Sequence, residues 1–423
     1  MDLLGHIERE YRLPGGYHHD IDELPNGNFL VCSDDFNGKT VEDVIVEVDR
    51  ETGDIVKTFD LKDIFDMNDG RSLNWTYSDW FHNNSVDFEP ANNTLTVSGR
   101  HQDIVAVIDY DSGELKYLIG SNDKWSEEMQ PYFLEPIGEN FEWQWAQHAA
   151  TWIDSEHLMV FDNGMYRSKT KAESIAAEDN YSRMVIYKID ETNHTIEQVY
   201  QYGKERGFAY YSPYICDNDF LGEDHFLITS GGISYLDGKI NNDPGSLTAF
   251  DHMDAFISEV QDDELVFELK FPCNIYRSEK IDDTKFSMTS FEEPKLLGNL
   301  GVTKNEEVKV DDLLKEYEDF VNVDDLGVAM PITFVDEMDR LVVSGLLHKE
   351  DNLELVLVQD GKALVYPFQV DEEPGTCVAI FNSPKPDESF MIQTVSSNGL
   401  KGTYRLCYVF NDVLYDSTYT ITY

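Results

Sequence analysis

The sequence is poor in basic residues: 32 Lys and Arg stand against 82 Asp and Glu, which gives a formal net charge of −50. A protein that binds nucleic acid needs a positive face for the phosphates, and an anionic membrane surface also attracts basic segments. We therefore expect neither nucleic acid nor a membrane as a partner. An anionic substrate would need a locally positive site, so each Arg and His near a candidate pocket gains weight.

Cysteine and long apolar runs are also scarce. The chain has five Cys at wide spacings and no C-x-x-C, which fits neither a disulfide framework nor a zinc site. No HxH or HExxH occurs, so we expect no metal and no cofactor. No apolar run is long enough for a membrane span, and the N-terminus lacks a signal-peptide core. We expect a cytoplasmic protein as the chain stands, or a secreted or periplasmic one if an N-terminal segment is missing.

The first two thirds of the chain contain a repeated unit. "HHDIDELPNGNFLVCSDD", "FHNNSVDFEPANNTLTVSGR" and "QHAATWIDSEHLMVFDNG" each place a His before an alternating strand, a polar turn and an apolar strand. The spacing from His19 to His82 is 63 residues, and from His82 to His148 it is 66. Turns rich in Gly, Asn and Asp suit hairpins. Four short strands at this period are typical of propeller blades, so the sequence predicts an all-β fold with a β-propeller.

The last third of the chain has a different texture. "EEVKVDDLLKEYEDFV" could form a short helix, and the strand-like runs that follow lack the His that opens each repeat. We expect a β-propeller catalytic domain over residues 1–300. Residues 301–423 are either the closing blades or a separate β-sandwich, and the sequence leaves both open.

The repeated histidines are the main candidates for chemistry. The first strand of a blade lines the central channel, so His18 or His19, His82, His148 and a group near His225 are expected to face one another. These residue types fit sulfuryl or phosphoryl transfer. Neutral imidazole offers a lone pair at neutral pH, and a second His can carry the proton of the leaving or incoming oxygen. Arg167, in "FDNGMYRS", would add a planar fork of donors that suits sulfate oxygens.

Aromatic residues precede two of these histidines. Trp80 lies two residues before His82, and Trp145 lies three residues before His148. They could form apolar walls for an aromatic substrate. Ordinary packing between blades is an equally good interpretation.

Several motifs occur together and in a fixed order: "DWFHNNSVDFEP", "WQWAQHAATWID", "VFDNGMYR", "YGKERGFAYYSPY", "SGGI" and "NIYRSEK". From about residue 17 to residue 280 the chain resembles the bacterial arylsulfate sulfotransferases. The resemblance implies a six-bladed propeller and sulfuryl transfer between phenols, without 3′-phosphoadenosine phosphosulfate, through a sulfohistidine in a ping-pong mechanism. It implies that His82, His148 and Arg167 bind the sulfuryl group and assist proton transfer. The expected substrate-binding residues are His19, Asn84, Trp80, Trp145 and Thr229.

The nucleophile of the family is less clearly matched. The resemblance places it in the strand "GEDHFLITSGGISY", where either His225 or the Thr229 position would take the role. A hydroxyl is a much weaker nucleophile without a paired base. The alternatives are therefore a non-catalytic propeller that binds a small anion or a protein partner, or a metal-dependent hydrolase. The expected partners are aryl sulfates and phenols, and self-association into a homodimer is left open.

Overall fold

The computed structural model describes residues 11, 13, 16–34, 39–242, 252–281, 305–317, 321–322, 332–337, 340–348, 351–368, 388–397 and 399–423. The described part of residues 16–281 belongs to one compact unit, and the described residues from 305 onward belong to a second. Both units are built from sheets whose strands pair mainly antiparallel, with the short strands Glu135–Ile137 and Val321–Asn322 each joining its sheet in parallel. The predicted all-β class is confirmed.

The first unit contains four sheets that follow one another along the chain. Sheet 1 consists of β1 (Ile21–Glu23), β2 (Phe29–Ser33), β3 (Val44–Val48) and β4 (Ile55–Asp60). Sheet 2 consists of β5 (Asn83–Glu89), β6 (Thr94–Gly99), β7 (Ile104–Asp109) and β8 (Leu115–Gly120). Sheet 3 consists of β9 (Glu135–Ile137), β10 (His148–Trp152), β11 (His157–Asp162), β12 (Arg183–Asp190) and β13 (Thr195–Tyr202), with β9 on its outer edge. Sheet 4 consists of β14 (Asp217–Gly222), β15 (His225–Leu236), β16 (Lys239–Ile240), β17 (His252–Gln261) and β18 (Glu264–Phe271).

Each of these sheets is a meander of hairpins with the unit structure of a propeller blade. The turns form where Gly and Asn permit them: Gly27, in "PNGN", has φ 86°, a left-handed conformation that costs Gly little. The first strands of successive sheets contact each other, β1 with β5, β5 with β10 and β10 with β14. This is the order that innermost strands take around a common axis. The six-bladed ring implied by the resemblance stays a prediction, since the described part of residues 16–281 supplies four sheets of this kind.

Short 3₁₀ turns connect some of the strands. They lie at Leu61–Asp63, Gln130–Tyr132, Ala177–Asp179 and Lys204–Tyr210. Residues 168–182 form a long loop between β11 and β12, and this loop contains the third of these turns.

The second unit has larger sheets. A six-stranded sheet contains β19 (Glu306–Lys309), β20 (Val321–Asn322), β23 (Leu353–Gln359), β24 (Lys362–Phe368), β26 (Thr403–Phe410) and β27 (Val413–Thr422). A three-stranded sheet contains β21 (Ile332–Glu337), β22 (Arg340–His348) and β25 (Glu388–Ser396). Leu341 and Val395 of the smaller sheet share one core with Leu355 and Tyr408 of the larger. Two sheets that enclose a core resemble a β-sandwich, while the boundary at residue 300 stays a prediction.

The helix expected in "EEVKVDDLLKEYEDFV" is present as α1 (Val310–Tyr317). Leu313 on this helix packs against the larger sheet with Val356 and Val409. No helix in the described ranges is long and apolar enough to cross a membrane. Cys32, Cys216, Cys273 and Cys407 are free thiols, and Cys377 lies outside the described residues.

Buried carboxyl groups make the stability of the first unit depend on pH. Asp103 follows β6 and is buried, and burial raises its pKa to about 6 although Lys169 opposes the shift. The folded state therefore favours the neutral acid, whereas the unfolded chain ionises it near pH 4. The contribution of Asp103 to the unfolding free energy is therefore largest below about pH 4 and is lost between about pH 4 and pH 6, a change on the order of 3 kcal/mol.

The Asp103→Asn variant is expected to remove that part of the pH dependence. Guanidinium unfolding at pH 4.5 and pH 7.5 would measure it, with Asp111→Asn in the exposed turn after β7 as the matched control. An unchanged difference between the two pH values in Asp103→Asn would contradict the assignment. Burial also raises the pKa of Asp34 to about 8 and that of Asp217 to about 7. These two groups would therefore extend the decrease in unfolding free energy to higher pH.

Candidate active site

The histidines that open the repeats meet in one buried cluster. The ring of His19 lies 5.0 Å from that of His82 and 5.0 Å from that of His18, measured between centroids. His101, which the sequence analysis missed, stacks on His82 at 4.5 Å. The Tyr276 ring lies 5.9 Å from His19 and 6.3 Å from His148. We call these six residues the histidine cluster.

Local backbone geometry at the strand starts positions these rings. His19 has φ 49° and His82 has φ 55°, and Ala149, next to His148, has φ 50°. Such left-handed conformations are uncommon outside Gly and often occur at functional sites. The segment that carries Tyr276 approaches because Gly231 in "SGGI" has no side chain: a Cβ there would collide with the carbonyl oxygen of Ile275.

His82 is held between two carboxylates. Its Nδ1 lies 2.9 Å from Asp79 Oδ2 and 2.7 Å from Glu42 Oε2. Burial lowers the pKa of His82, but Asp79 and Glu42 outweigh burial and raise that pKa to about 9. His82 is therefore protonated at neutral pH and can give a proton to a substrate oxygen.

His148 has the opposite protonation state. Asn163 donates from Nδ2 to the carbonyl oxygens of Ser212 at 2.9 Å and Ile215 at 2.8 Å, so its Oδ1 faces His148 Nδ1 at 2.8 Å. Nδ1 must therefore donate, and Nε2 carries the lone pair. Burial and the charge of Arg100 hold the pKa of His148 well below its usual value. Two imidazoles with divergent pKa values in one site are a pattern of acid–base and nucleophilic catalysis.

Arg167 is not brought to the histidine cluster. Its Nη1 lies 3.0 Å from Asp162 Oδ2, its Nε donates to Asn180 Oδ1 at 3.0 Å, and its Nη2 donates to Tyr181 O at 2.9 Å. All three nitrogens are thus engaged in holding the loop after β11. The guanidinium beside the histidines is instead that of Arg100, whose Nη1 donates to His101 Nε2 at 3.0 Å.

His225 is also placed away from the cluster. It begins β15, as His157 begins β11, and each bonds a carboxylate: His225 Nε2 lies 2.7 Å from Glu259 and His157 Nδ1 lies 2.9 Å from Asp154. The residue of sheet 4 that corresponds to His148 is Cys216, which stands nine residues before His225 as His148 stands nine before His157. The expected imidazole of sheet 4 is thus replaced by a buried thiol, whose pKa burial raises to about 12.

The remaining candidates lie in several places. Asn84 donates to Gln147 O at 2.7 Å, and its Oδ1 is buried without a hydrogen-bond partner. Thr229 bonds Ser278 at 2.5 Å, and Trp80 is buried with its indole nitrogen 2.7 Å from Asp43. The backbone nitrogen of Trp145 donates to Asp162. Trp80 also packs against Phe81, so neither Trp80 nor Thr229 is brought to the histidines by these contacts.

Two groups of side chains have the composition of cation sites. They are His18, His19 and Glu42, and Asp79, His82 and His101, with one ligand atom from each residue within 4.8 Å of the others. Hydrogen bonds already use the nitrogens concerned. The Nδ1 atoms of His18 and His19 face each other at 2.9 Å, so one of them holds a proton. His101 donates from Nδ1 to Asp79 O and accepts at Nε2 from Arg100. We therefore describe the cluster as a proton-carrying network.

Comparison with known proteins identifies the family. The model of the family described as "Arylsulfotransferase (ASST)" matches residues 1–278 of this chain. Arylsulfate sulfotransferase AssT of Escherichia coli O6:H1 is 26% identical over 298 residues, which cover 56% of this chain and 49% of that protein. Its namesake in Lelliottia amnigena is 26% identical over 309 residues, covering 57% of this chain and 51% of that protein. The chain thus spans about half the length of these relatives.

Similar solved structures are more distant. Hydrazine synthase of Kuenenia stuttgartiensis is 11% identical with a TM-score of 0.29, over 82% of this chain and 60% of that one. A putative 6-phosphogluconolactonase of Bacteroides uniformis is 10% identical with a TM-score of 0.27, over 96% of this chain and 85% of that one. The match over residues 1–278 spans all the histidines of the cluster, and the chain belongs to the arylsulfotransferase (ASST) family.

Proposed function

We propose that this chain transfers a sulfuryl group from an aryl sulfate to a phenol. The observation that carries the proposal is the pairing, in one buried cluster, of His82 protonated and His148 neutral with a free Nε2. A nucleophile and a proton carrier are the two groups that such a transfer needs. Family membership and the two relatives named arylsulfate sulfotransferase support the same substrate class.

The transfer would take place in two balanced half-reactions. In the first, the Nε2 lone pair of His148 attacks sulfur, the bond from sulfur to the aryl oxygen breaks, and the departing phenolate takes a proton from His82. In the second, an acceptor phenol returns a proton to His82, its oxygen attacks sulfur, and the nitrogen–sulfur bond breaks. This is ping-pong transfer through a sulfohistidine, with the nucleophile at His148 rather than at His225 or Thr229.

The assay is release of p-nitrophenol from p-nitrophenyl sulfate, with and without phenol. We expect sustained release only when phenol is present, and the mass of one SO₃ group added to the protein when phenol is withheld. Bound sulfate or aryl sulfate without turnover would favour the alternative, a propeller that binds anions without catalysis. That alternative draws on one observation, the thiol of Cys216 where sheet 4 would carry a fourth histidine.

The His225→Ala variant is expected to keep the wild-type rate within about twofold. His225 lies at the turn of the β14–β15 hairpin, away from the histidine cluster, and bonds Glu259 there. The same assay measures it. His157→Ala is the matched control, since His157 occupies the corresponding position in sheet 3. A large loss confined to His225→Ala would return the nucleophile to that residue.

A further inference from the structure

Arg100 is a buried cation without a carboxylate partner. It is 4% exposed and follows the last residue of β6. Its Nη1 donates to His101, its Nη2 contacts Pro213 O at 3.3 Å and Met165 Sδ at 3.4 Å, and its Nε has no hydrogen-bond partner. Across the described ranges, no Asp or Glu oxygen lies within ion-pair distance of this guanidinium.

The other buried arginines of this region differ in that respect. Arg167 and Arg183 both bond Asp162 Oδ2, at 3.0 Å and 2.9 Å. A buried charge is normally paired, because leaving it unpaired forfeits its hydration without return. Asp79 and Asp103 attract the Arg100 guanidinium through space but do not bond it, so within the described chain it still lacks a bonded oxyanion.

The position of Arg100 relates it to the reacting groups. It belongs to sheet 2, contacts Met165 after β11 of sheet 3 and reaches Pro213 before β14 of sheet 4, so it spans the region where the first strands meet. Its charge lowers the pKa values of both His148 and His19, which places it near those rings. The hydroxyl of Tyr276, in the same cluster, is also buried without a hydrogen-bond partner.

We propose that Arg100, and not Arg167, is the guanidinium that binds the oxygens of the transferring sulfuryl group, with the Tyr276 hydroxyl as a second donor. The ligand class is a sulfate monoester or free sulfate. This deepens the proposed function, on which it rests. Arg100 and Tyr276 would donate hydrogen bonds to the charged sulfuryl oxygens. His148 remains the nucleophile and His82 the proton carrier.

The test combines sulfate binding with turnover. Thermal unfolding with increasing sodium sulfate, against sodium chloride at equal ionic strength, measures anion binding to the folded chain. Wild type is expected to gain several degrees in Tm, and Arg100→Met to lose that gain and at least about a hundredfold in kcat/KM for p-nitrophenyl sulfate. Without sulfate, Arg100→Met should be no less stable than wild type, because an unpaired buried charge is replaced by an apolar chain of similar length.

Three comparison variants separate the roles. Tyr276→Phe should weaken sulfate binding by a smaller factor than Arg100→Met and leave the Tm without sulfate unchanged. Arg206→Met, which removes a guanidinium bonded to Glu268 in sheet 4, should keep the sulfate effect. Arg167→Met should lower Tm in every buffer yet retain the gain from sulfate.

Each other outcome has a defined meaning. If Arg100→Met keeps both the sulfate effect and kcat/KM within twofold, or if Arg167→Met alone abolishes the sulfate effect, the proposal is overturned and the transferase function is untouched. If wild type binds sulfate through Arg100 but never turns over, the anion site stands and the proposed function fails. If Arg100→Met does not fold, selenate located by anomalous scattering in wild-type crystals decides: density away from Arg100 and Tyr276, or none, overturns the proposal.

Discussion

The His148→Ala variant is expected to transfer sulfuryl groups at least about a thousandfold more slowly than wild type, because the covalent route loses its nucleophile. Asn163 fixes the ring so that Nε2 holds the lone pair, and no other imidazole of the cluster has that arrangement with a hydrogen bond on Nδ1 to a side-chain amide. Acceptor-dependent release of p-nitrophenol measures the rate. The mass of the protein after exposure to donor alone should no longer increase.

Chemical rescue with free imidazole tests whether the lost ring of the His148→Ala variant acts as a nucleophile. Removing the buried ring leaves a cavity beside Asn163. Added imidazole can bind there, accept the sulfuryl group in place of the missing ring and leave as sulfoimidazole. Rescue of donor consumption by imidazole would show that the ring acts as a nucleophile, since a purely structural loss would not respond. His157→Ala is the control for loss of a histidine from the same sheet. A rate within tenfold of wild type in His148→Ala would remove His148 from the proposed role.

That His19, His82 and His148 lie in one cluster could be predicted from the sequence, because it depends only on repetition. The contact of His148 with the cluster through Tyr276 could not. Residues that occupy the same place in successive sheets are brought together by the fold whatever their neighbours are. His101 and Arg100 could have been found by the same argument, since both directly follow the second strand of sheet 2 and therefore end beside its first strand. The motifs drew attention to Arg167 after the second strand of sheet 3, and the corresponding position in sheet 2 was not considered.

The partners of each charged residue could not be predicted in this way. Arg167 stands near the histidines along the chain, but Asp162, five residues earlier, faces it across the loop and takes its guanidinium. For His225 the error lies in position along the hairpin. His225 lies beside the turn of the β14–β15 hairpin, whereas the residue after the opener Cys216 pairs with Thr229. At about 3.3 Å per residue, the four residue steps from His225 to Thr229 keep His225 away from the opener of sheet 4. Residue type and spacing along the chain carry no information on such pairings.

Asp162 is the residue whose loss is expected to cost the most stability. It is fully buried, accepts from Arg167 and Arg183 through Oδ2, and accepts the backbone nitrogen of Trp145 at 2.9 Å through Oδ1. In Asp162→Ala two buried guanidiniums lose their common carboxylate, which costs about 3–5 kcal/mol when one partner of a buried ion pair is removed. Small and medium-sized domains have about 5–15 kcal/mol in total, so much of the chain should be unfolded at moderate temperature.

Guanidinium and thermal unfolding of Asp162→Ala measure this loss, with Asp154→Ala as the matched control. Asp154 pairs with His157 near the other end of β11, where both side chains are partly in solvent, and its loss should stay within about 1 kcal/mol. The double variant Asp162→Ala with Arg167→Met should regain part of the stability, because it removes one of the two stranded charges. If Asp162→Ala and Asp154→Ala lose the same small amount, Arg167 is not held by a structural ion pair. Its guanidinium would then be as free as that of Arg100 to bind the substrate, which would reopen the role that the family resemblance gave to it.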